Sequence, residues 1–329
     1  MPGDSLTPDV SRAGYDASRM SIGVLLPQEE GPGDPRPSWL YLSSAAKVAE
    51  DVGIDSVWLV DHMLWATDPW ERNPTEFGTE TDPRGYGARE LWTTLAALAA
   101  TTSRARLGTL VTCTRYRNPA LLAKMADNVH EISGGRLVLG LGGGDNRQEH
   151  EMFGFPTDRP VSHFEEALKV IVPLLRVGHV DFDGNHYVAH TELKPRAPGG
   201  SGPPVLIGSL STRPRVLGLV ARYADIWNGW VWAMVSADQV APIRDSVDAA
   251  CREIGRDPAS LGRSVVLVVA MDGPMARNPD LITGSDSEIA ETVAAFAREG
   301  VNEVQVRLFP NDLATIERFG RVIEAVRAA

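Results

Sequence analysis

Eight times along this 329-residue chain, a short run of apolar and β-branched residues is followed by a longer stretch with helical spacing. The short runs are almost continuously apolar, which is typical of parallel strands buried on both faces. Eight successive β–α units predict an α/β fold, a (β/α)8 TIM barrel, and leave an open doubly wound sheet as the alternative. The predicted strands are 21–27, 56–60, 105–112, 136–141, 204–208, 225–228, 264–271 and 303–309. The predicted helices are 38–52, 89–103, 118–132, 160–176, 212–223, 236–254, 285–298 and 312–327.

The chain is expected to form one domain with two insertions. Residues 1–19 are polar, so we expect a flexible N-terminal segment, followed by a single barrel domain over 20–329. The insertion at 61–88 follows the second strand, at the face where barrel active sites form, and is a candidate lid that shapes the substrate site. The insertion at 177–203 starts at the opposite face, and its alternation around Asp183-Gly184 predicts a small hairpin.

Composition argues against several kinds of partner. The net charge is −11 and no basic cluster stands out, so we expect no nucleic-acid partner. The sequence has no 18-residue apolar run and no secretory leader pattern, so we expect no membrane partner and a cytoplasmic location. Cys113 and Cys251 stand far apart and offer neither a disulfide framework nor a CxxC metal pair, which fits a reducing compartment.

Absent residue patterns narrow the enzyme class. None of the four lysines ends a predicted strand, which argues against a Schiff-base aldolase. The histidines form no convincing ligand set, so we expect no metal. A glycosidase, which needs two carboxylates beside the sugar bond, remains a distant alternative built on Asp145 and Asp272.

The second predicted strand ends in Asp61-His62. Because strand carboxyl ends converge on the site of a barrel, His62 is a candidate general base or a positive group near a developing anion, and Asp61 is placed to tune it. The alternative is that Asp61 caps a turn and His62 is an ordinary loop residue. After the third strand, Cys113 has no histidine beside it in sequence, which favours a small buried residue over a nucleophile.

The fourth predicted strand runs into three glycines, Gly142, Gly143 and Gly144. Glycines at a strand end allow a flat ring or a phosphate to approach the backbone closely. Asp145 follows them, and it is either an acid of the site or the N-cap of a helix over 147–153.

The fifth predicted strand is followed by Ser209, Ser211 and Thr212, immediately before a predicted helix. Hydroxyls and backbone N–H groups at a helix start suit a phosphate, and Arg213 and Arg215 could add positive charge. An ordinary Ser/Thr helix cap is the alternative.

Seven segments, each occurring once, follow one another along most of the chain. They are AEDVGIDSVWLVDH over 49–62, LGTLVT over 107–112, RNPALLAKM over 117–125, ISGGRLVLGLG over 132–142, EH at 149–150, GFP at 154–156 and ARYADIWN over 221–228. Together these segments resemble the luciferase-like flavin and deazaflavin oxidoreductases over residues 20–327. The resemblance implies a bacterial luciferase-like (β/α)8 barrel, a homodimer, and FMN or coenzyme F420 bound at the carboxyl end of the barrel.

The resemblance also implies roles for individual residues. His62 would act beside a deazaflavin ring as base or anion stabiliser, with Asp61 as its neighbour. Glu29 and Asp145 fall where F420-dependent members often place glutamates. The implied cofactor-binding residues are Leu110 and Val111, joined by a cis peptide bond behind the ring, then Thr112, Gly142, Gly143 and Gly144 beside it, and Ser209, Ser211 and Thr212 at the phosphate.

These observations favour an oxidoreductase that transfers hydride between coenzyme F420 and a small organic substrate. The alternative within the family is an FMN-dependent monooxygenase, which uses O2 and receives reduced flavin from a separate reductase. A flavin-binding protein without turnover is a distant alternative, and it predicts that His62→Ala changes nothing except stability.

Overall fold

The computed structural model of the chain describes residues 8–15, 18–30, 38–64, 87–197, 200–209, 213–230 and 234–328. Its strands are β1 (Ser21–Leu25), β2 (Ser56–Leu59), β3 (Arg106–Thr109), β4 (Thr112–Cys113), β5 (Leu137–Gly142), β6 (His179–Asp183), β7 (Val188–Glu192), β8 (Val205–Gly208), β9 (Ile226–Trp230), β10 (Gly262–Ala270) and β11 (Glu303–Phe309). Eight of them pair in parallel in the order β1-β2-β3-β5-β8-β9-β10-β11, and β11 pairs back to β1. This closed barrel confirms the predicted fold class.

Helices follow the barrel strands and pack around them. In the described residues they are α1 (Trp39–Asp51), α2 (Leu91–Thr101), α3 (Pro119–Ile132), α4 (Arg147–Phe153), α5 (Pro160–Val177), α6 (Pro214–Tyr223), α7 (Ala241–Glu253), α8 (Asp286–Arg298) and α9 (Leu313–Ala328). Local signals set several starts: Asn118 caps α3, and Ser285 forms a capping box with Glu288 at α8. In the part of the chain that the structure describes, no helix is both long enough and apolar enough to cross a membrane.

The third predicted strand, 105–112, is interrupted in the structure. β3 ends at Thr109, the peptide bond between Leu110 and Val111 is cis, and the chain then pairs with β5 again as the short strand β4. The cis bond confirms the expectation drawn from the family resemblance.

The indole of Trp58 occupies the barrel interior between β1 and β3, in a cluster with seven other buried apolar side chains. Trp58 of β2 is fully buried and donates its indole N–H to Ser56 at 2.7 Å. A Cβ atom placed on Gly108 would lie 2.1 Å from the indole ring, and one placed on Gly23 would lie 2.5 Å from the indole nitrogen. The two glycines therefore make room for the indole of Trp58.

The amino end of the barrel is closed by buried ion pairs. Glu303 accepts from Arg106 at 3.0 Å and from the Tyr15 hydroxyl at 3.1 Å. Asp225 accepts from the backbone N–H of Asp9 at 2.8 Å and from Arg12 at 3.2 Å. Residues 8–15 of the predicted flexible segment therefore have defined contacts with the barrel.

The two insertions differ in how far the structure describes them. The insertion at 177–203 contains the predicted hairpin, with β6 antiparallel to β7, which packs on α5. Glu166 of α5 accepts from the backbone N–H groups of Asn185, His186 and Tyr187 at the hairpin turn. For the candidate lid, 61–64 and 87–88 are described, and the remainder lies outside the described residues.

We expect Gly108→Ala to destabilise the protein by about 1–3 kcal/mol, because the new methyl group would collide with the Trp58 ring. Gly218→Ala is the matched control: Gly218 lies in α6, and a Cβ atom there would meet nothing within 4 Å. In that helix alanine should be more stable than glycine by up to about 1 kcal/mol. Urea unfolding of both variants would measure this, and equal midpoints would show that Trp58 does not fill the barrel as described.

Candidate functional site

A buried ion pair lies just past the carboxyl end of β2. The Nδ1 atom of His62 lies 3.0 Å from the Oε2 atom of Glu149, a residue of α4. Glu149 is 1% exposed, and its carboxylate also accepts from the Tyr116 hydroxyl at 2.7 Å and from the backbone N–H groups of Leu64, at 2.9 Å, and Met63. The His62 side chain keeps 18% of its surface exposed, so the imidazole lies where the core meets the barrel mouth.

The environment of the pair favours its charged form. Burial acts to lower the pKa of His62, but the hydrogen bond to Glu149 and the negative charges of Asp145, Glu149 and Glu29 raise that pKa to about 9. Burial acts to raise the pKa of Glu149, while the hydrogen bond and charge of His62 bring that pKa below its usual value. At neutral pH the pair is therefore an imidazolium and a carboxylate.

Asp61 has partners other than His62. Its carboxylate forms a two-pronged ion pair with Arg117, at 2.6 and 2.9 Å, and accepts from the backbone N–H of Cys113 at 2.9 Å. Burial raises the pKa of Asp61, and Arg117 opposes that shift. The expectation that Asp61 tunes His62 directly is corrected, because its carboxylate is engaged by Arg117 and the carboxylate on the imidazole is that of Glu149.

Glu29 and Asp145 act on His62 through their charge. Glu29 forms an ion pair with Arg307 of β11 at 2.8 Å. Asp145 is exposed, and the N-cap of α4 is Asn146, whose side chain accepts from the backbone N–H of Glu149 at 3.0 Å. The alternative that Asp145 caps this helix is therefore wrong, and a role for Glu29 or Asp145 in proton transfer stays a prediction.

Val111 lies across the barrel mouth. It is half-buried, and a Cβ atom placed on Gly142 would lie 2.6 Å from its side chain. Cβ atoms placed on Gly140 and Gly208 would lie 3.1 and 3.4 Å from it. Thr112 beside it is fully buried, and its hydroxyl has no hydrogen-bond partner among the described residues. The predicted cofactor-binding residues of the third and fourth predicted strands therefore lie together at one mouth.

The glycine loop is needed for the packing of the protein itself. Gly144 has a φ of 76°, and a Cβ atom there would lie 2.6 Å from Sγ of Cys113 and 2.7 Å from Nε2 of His150. Arg115 donates to the carbonyl oxygen of Gly143 at 2.6 Å and to that of Gly144 at 3.2 Å. The sequence analysis explains these glycines by the close approach of a ligand. The structure adds a second reason, since a side chain at Gly144 would collide with Cys113 and His150.

The phosphate loop predicted after the fifth strand is described in part. Ser209 is described and donates its backbone N–H to Asn228 at 3.0 Å, whereas Ser211 and Thr212 lie outside the described residues. Arg215 pairs with Glu165 of α5 at 2.8 Å, so its charge is already balanced by a carboxylate. The phosphate role of this loop stays a prediction.

Cys113 lies in the core beside a histidine that is distant in sequence. Its Sγ atom is 3.7 Å from Nε2 of His150, and both residues are buried. Burial raises the pKa of the Cys113 thiol to about 12, so the thiol is protonated at neutral pH and poorly nucleophilic. These observations agree with the expectation that Cys113 is a small buried residue and not a nucleophile.

Sequence reasoning did not identify three side chains that organise this site. Glu149, 87 residues further along the chain, is hydrogen-bonded to His62. The Tyr116 hydroxyl donates to the same carboxylate of Glu149, and Arg117 forms an ion pair with Asp61. Glu149 and Arg117 both stand in the segments that carry the family resemblance, which was the available signal. Their partners are set by barrel closure and cannot be read from local spacing.

Comparisons with known proteins agree on one family. The model of a family described as luciferase-like monooxygenase matches residues 20–280. A phthiodiolone/phenolphthiodiolone dimycocerosates ketoreductase of Mycobacterium sp. (strain JLS) is 29% identical over 86% of this chain and 73% of that protein. The chain spans 61% of the ketoreductase of the same name from Mycobacterium tuberculosis, at 32% identity over 70% of this chain.

Two further similarities concern proteins named for coenzyme F420. The F420-dependent hydroxymycolic acid dehydrogenase of Mycobacterium tuberculosis is 32% identical over 80% of this chain and 67% of that protein. A solved F420-dependent secondary alcohol dehydrogenase, in complex with an F420-acetone adduct, superposes with a TM-score of 0.74 and 19% identity over 94% of this chain and 99% of that one. At that identity the superposition shows a shared fold.

Gly144→Ala and Gly154→Ala make a matched pair that tests the glycine loop. Both residues have left-handed backbones, so alanine should cost about 1–2 kcal/mol at either position. At Gly154 a Cβ atom would meet nothing within 4 Å, whereas at Gly144 it would strike Cys113 and His150, adding about 1–3 kcal/mol. Denaturant unfolding measures the difference, and equal losses of stability would refute this packing of the loop.

Proposed function

Because the chain belongs to the luciferase-like monooxygenase family, whose model matches residues 20–280, we propose that it is a coenzyme F420-dependent oxidoreductase that moves hydride to or from a small organic substrate. At the coarser level it is an F420- or flavin-dependent oxidoreductase of this family. The observation that carries the proposal is the pairing of His62 with Glu149 at the barrel mouth, with Nδ1 and Oε2 3.0 Å apart. The relative named F420-dependent, 32% identical, supports it.

The residues at the mouth fit a flat ring with polar edges. Val111 is half-buried and offers an apolar floor, and the partly exposed imidazole of His62 offers a polar partner at the edge of the ring. Coenzyme F420, when bound, supplies or accepts a hydride. The residues proposed to hold it are Leu110, Val111, Thr112, Gly142, Gly143 and Gly144 at the ring, and Ser209, Ser211 and Thr212 at the phosphate.

His62 would manage the proton that accompanies hydride transfer. Nδ1 is hydrogen-bonded to Glu149, so Nε2 is the ring nitrogen proposed to exchange a proton with a bound substrate. In the reducing direction, Nε2 gives its proton to the carbonyl oxygen while the carbonyl carbon gains the hydride. In the oxidising direction, Nε2 takes the hydroxyl proton. A pKa of about 9 keeps the ring charged at neutral pH, which favours the proton-donating role.

The substrate is proposed to be a ketone or the corresponding secondary alcohol. Of the two relatives, one is named a ketoreductase and the other a hydroxymycolic acid dehydrogenase. Both names describe exchange between a carbonyl and a hydroxyl group, which is the chemistry that a proton donor beside a hydride carrier performs. The FMN-dependent monooxygenase remains the second candidate, since the description of the family names that activity.

A binding titration with oxidised and reduced forms of F420 and FMN tests the cofactor. We expect selective binding of F420. We also expect F420-dependent reduction of simple ketones, which can be monitored through the absorbance of the deazaflavin. Preference for reduced FMN with oxygen consumption would move the assignment to the monooxygenase. Binding of neither would refute the cofactor-binding role of the mouth.

His62→Asn should reduce the rate of F420-dependent turnover by about 10²–10⁴-fold, because a positioned acid–base group is lost. Binding of F420 should change little, since the floor of the site is intact. His190→Asn, at an exposed position on β7, is the matched control and should keep full activity. Steady-state kinetics at pH 7 separates the two, and an active His62→Asn enzyme would contradict the proposed proton role.

The protein is also proposed to form a homodimer through α3. Leu121 and Ile132 of this helix are 55% and 52% exposed, and their separation of eleven residues places them on one helix face. Exposed apolar side chains aligned on one face are typical of a surface that a second copy covers.

Leu121→Asp should convert the dimer to a monomer, because it would bury a charge in an apolar contact. Val188→Asp, at a residue of β7 that is 61% exposed, is the matched control and should leave the mass unchanged. Light scattering after size exclusion reads out both variants. A monomeric wild type would overturn the proposal, as would a Leu121→Asp variant that stays dimeric.

A further inference from the structure

The carboxylate of Glu149 has four hydrogen-bond partners from two parts of the chain, residues 62–64 and Tyr116. Its Oε1 atom accepts from the backbone N–H groups of Met63 and Leu64, and its Oε2 atom accepts from the Tyr116 hydroxyl and lies 3.0 Å from Nδ1 of His62. The backbone contacts fix the plane of the carboxylate, so they also fix the direction from which Oε2 meets the imidazole.

We propose that Glu149 is the positioning residue for His62: it fixes the orientation of the ring, keeps the proton on Nδ1 and holds the ring in its cationic form. The inference rests on the proposed function, since it concerns the residue that would exchange a proton with the substrate. Glu149 itself touches neither substrate nor cofactor in this account. It acts through His62 alone.

Charge balance in the site supports this role. A buried carboxylate is costly unless it is paired and hydrogen-bonded, and Glu149 at 1% exposure has His62 as its cationic partner. The other carboxylate beside the imidazole in sequence, Asp61, is neutralised by Arg117. The charge of His62 therefore depends most directly on Glu149.

Two other carboxylates among the described residues also act on His62 through their charge. Asp145, after β5, is exposed, and Glu29, after β1, is balanced by Arg307. Both add negative potential at the imidazole, but Glu149 alone among these carboxylates has a described hydrogen bond to it. Tyr116 draws on the same oxygen of Glu149 as the imidazole does, so it competes for the negative charge.

The role implies a simple proton balance. The Nδ1 proton stays in the hydrogen bond to Glu149 during turnover, and the Nε2 proton moves to the carbonyl oxygen in reduction or arrives from the hydroxyl in oxidation. The ring then regains or loses one proton to solvent. Glu149 stays ionised throughout, so it is neither a general acid nor a general base.

The test is an NMR titration of His62 in the full-length protein without cofactor, with His62→Asn used to assign its signal. The wild-type pKa is expected at about 9. Glu149→Gln keeps the size and most of the hydrogen bonds but removes the charge, and should lower the pKa of His62 by about one to three units. Tyr116→Phe removes a competing donor from the carboxylate, so the pKa of His62 should stay the same or rise.

Each outcome decides a separate question. A wild-type pKa of His62 at or below its usual value would overturn the inference. So would an unchanged pKa of His62 in Glu149→Gln. The wild-type measurement remains valid even if that variant does not fold. In F420-dependent turnover, the pH profile of Glu149→Gln should shift to lower pH by the same amount. If Glu149→Gln lowers the pKa of His62 but the wild-type protein has no F420-dependent activity, the proposed function is refuted. The positioning role of Glu149 then still stands.

Discussion

The fit of one indole inside the barrel is the constraint on which the rest of this structure depends. Trp58 occupies the interior next to β1 and β3, and those strands can approach it only because Gly23 and Gly108 carry no side chain. With the indole in place, β2 cannot slide along its neighbours. Gln28 secures the end of β2, since its side chain accepts from the backbone N–H of Val60 at 2.7 Å and donates to the Val60 carbonyl at 2.9 Å. The two residues that follow are thereby held at the barrel mouth.

Buried carboxylates at both ends of the barrel are paired, but with cations of different kinds. Glu303 and Asp225 at the amino end and Asp61 at the mouth each pair with arginine. A guanidinium keeps its charge at every pH at which proteins fold, so these pairs are permanent structural contacts. Glu149 pairs with an imidazole, which can gain and lose a proton near neutral pH. Of these four described pairs, the pair that contains His62 is therefore the one suited to proton transfer.

The sequence predicted most of the architecture and half of the site. All eight barrel strands and the eight helices of the β–α units are present, because apolar runs and helix caps are local signals. The third predicted strand was wrong at Leu110 and Val111, where the structure breaks it into β3 and β4, because no local signal in 105–112 marks the cis peptide bond between them. His62 was identified from its place after a strand, whereas its partner was not. Asp61 was expected to tune His62 as its neighbour, but adjacency in sequence says little about which side chains meet, and Asp61 pairs with Arg117.

The sequence by itself determined the eight β–α units, the strand ends at which a site would form, and the presence of a histidine and a glycine loop there, because each follows from residues close together in the chain. Closure of the sheet into a barrel was decided by the tertiary structure, in which β11 pairs with β1. The tertiary structure alone decided which charges meet. Arg117 binds Asp61 and Glu149 binds His62 only once β2, β4 and α4 come together at the mouth, and those contacts join residues 56 and 87 positions apart. The charge of an imidazole depends on such neighbours, so the chemistry proposed for His62 is a property of the fold.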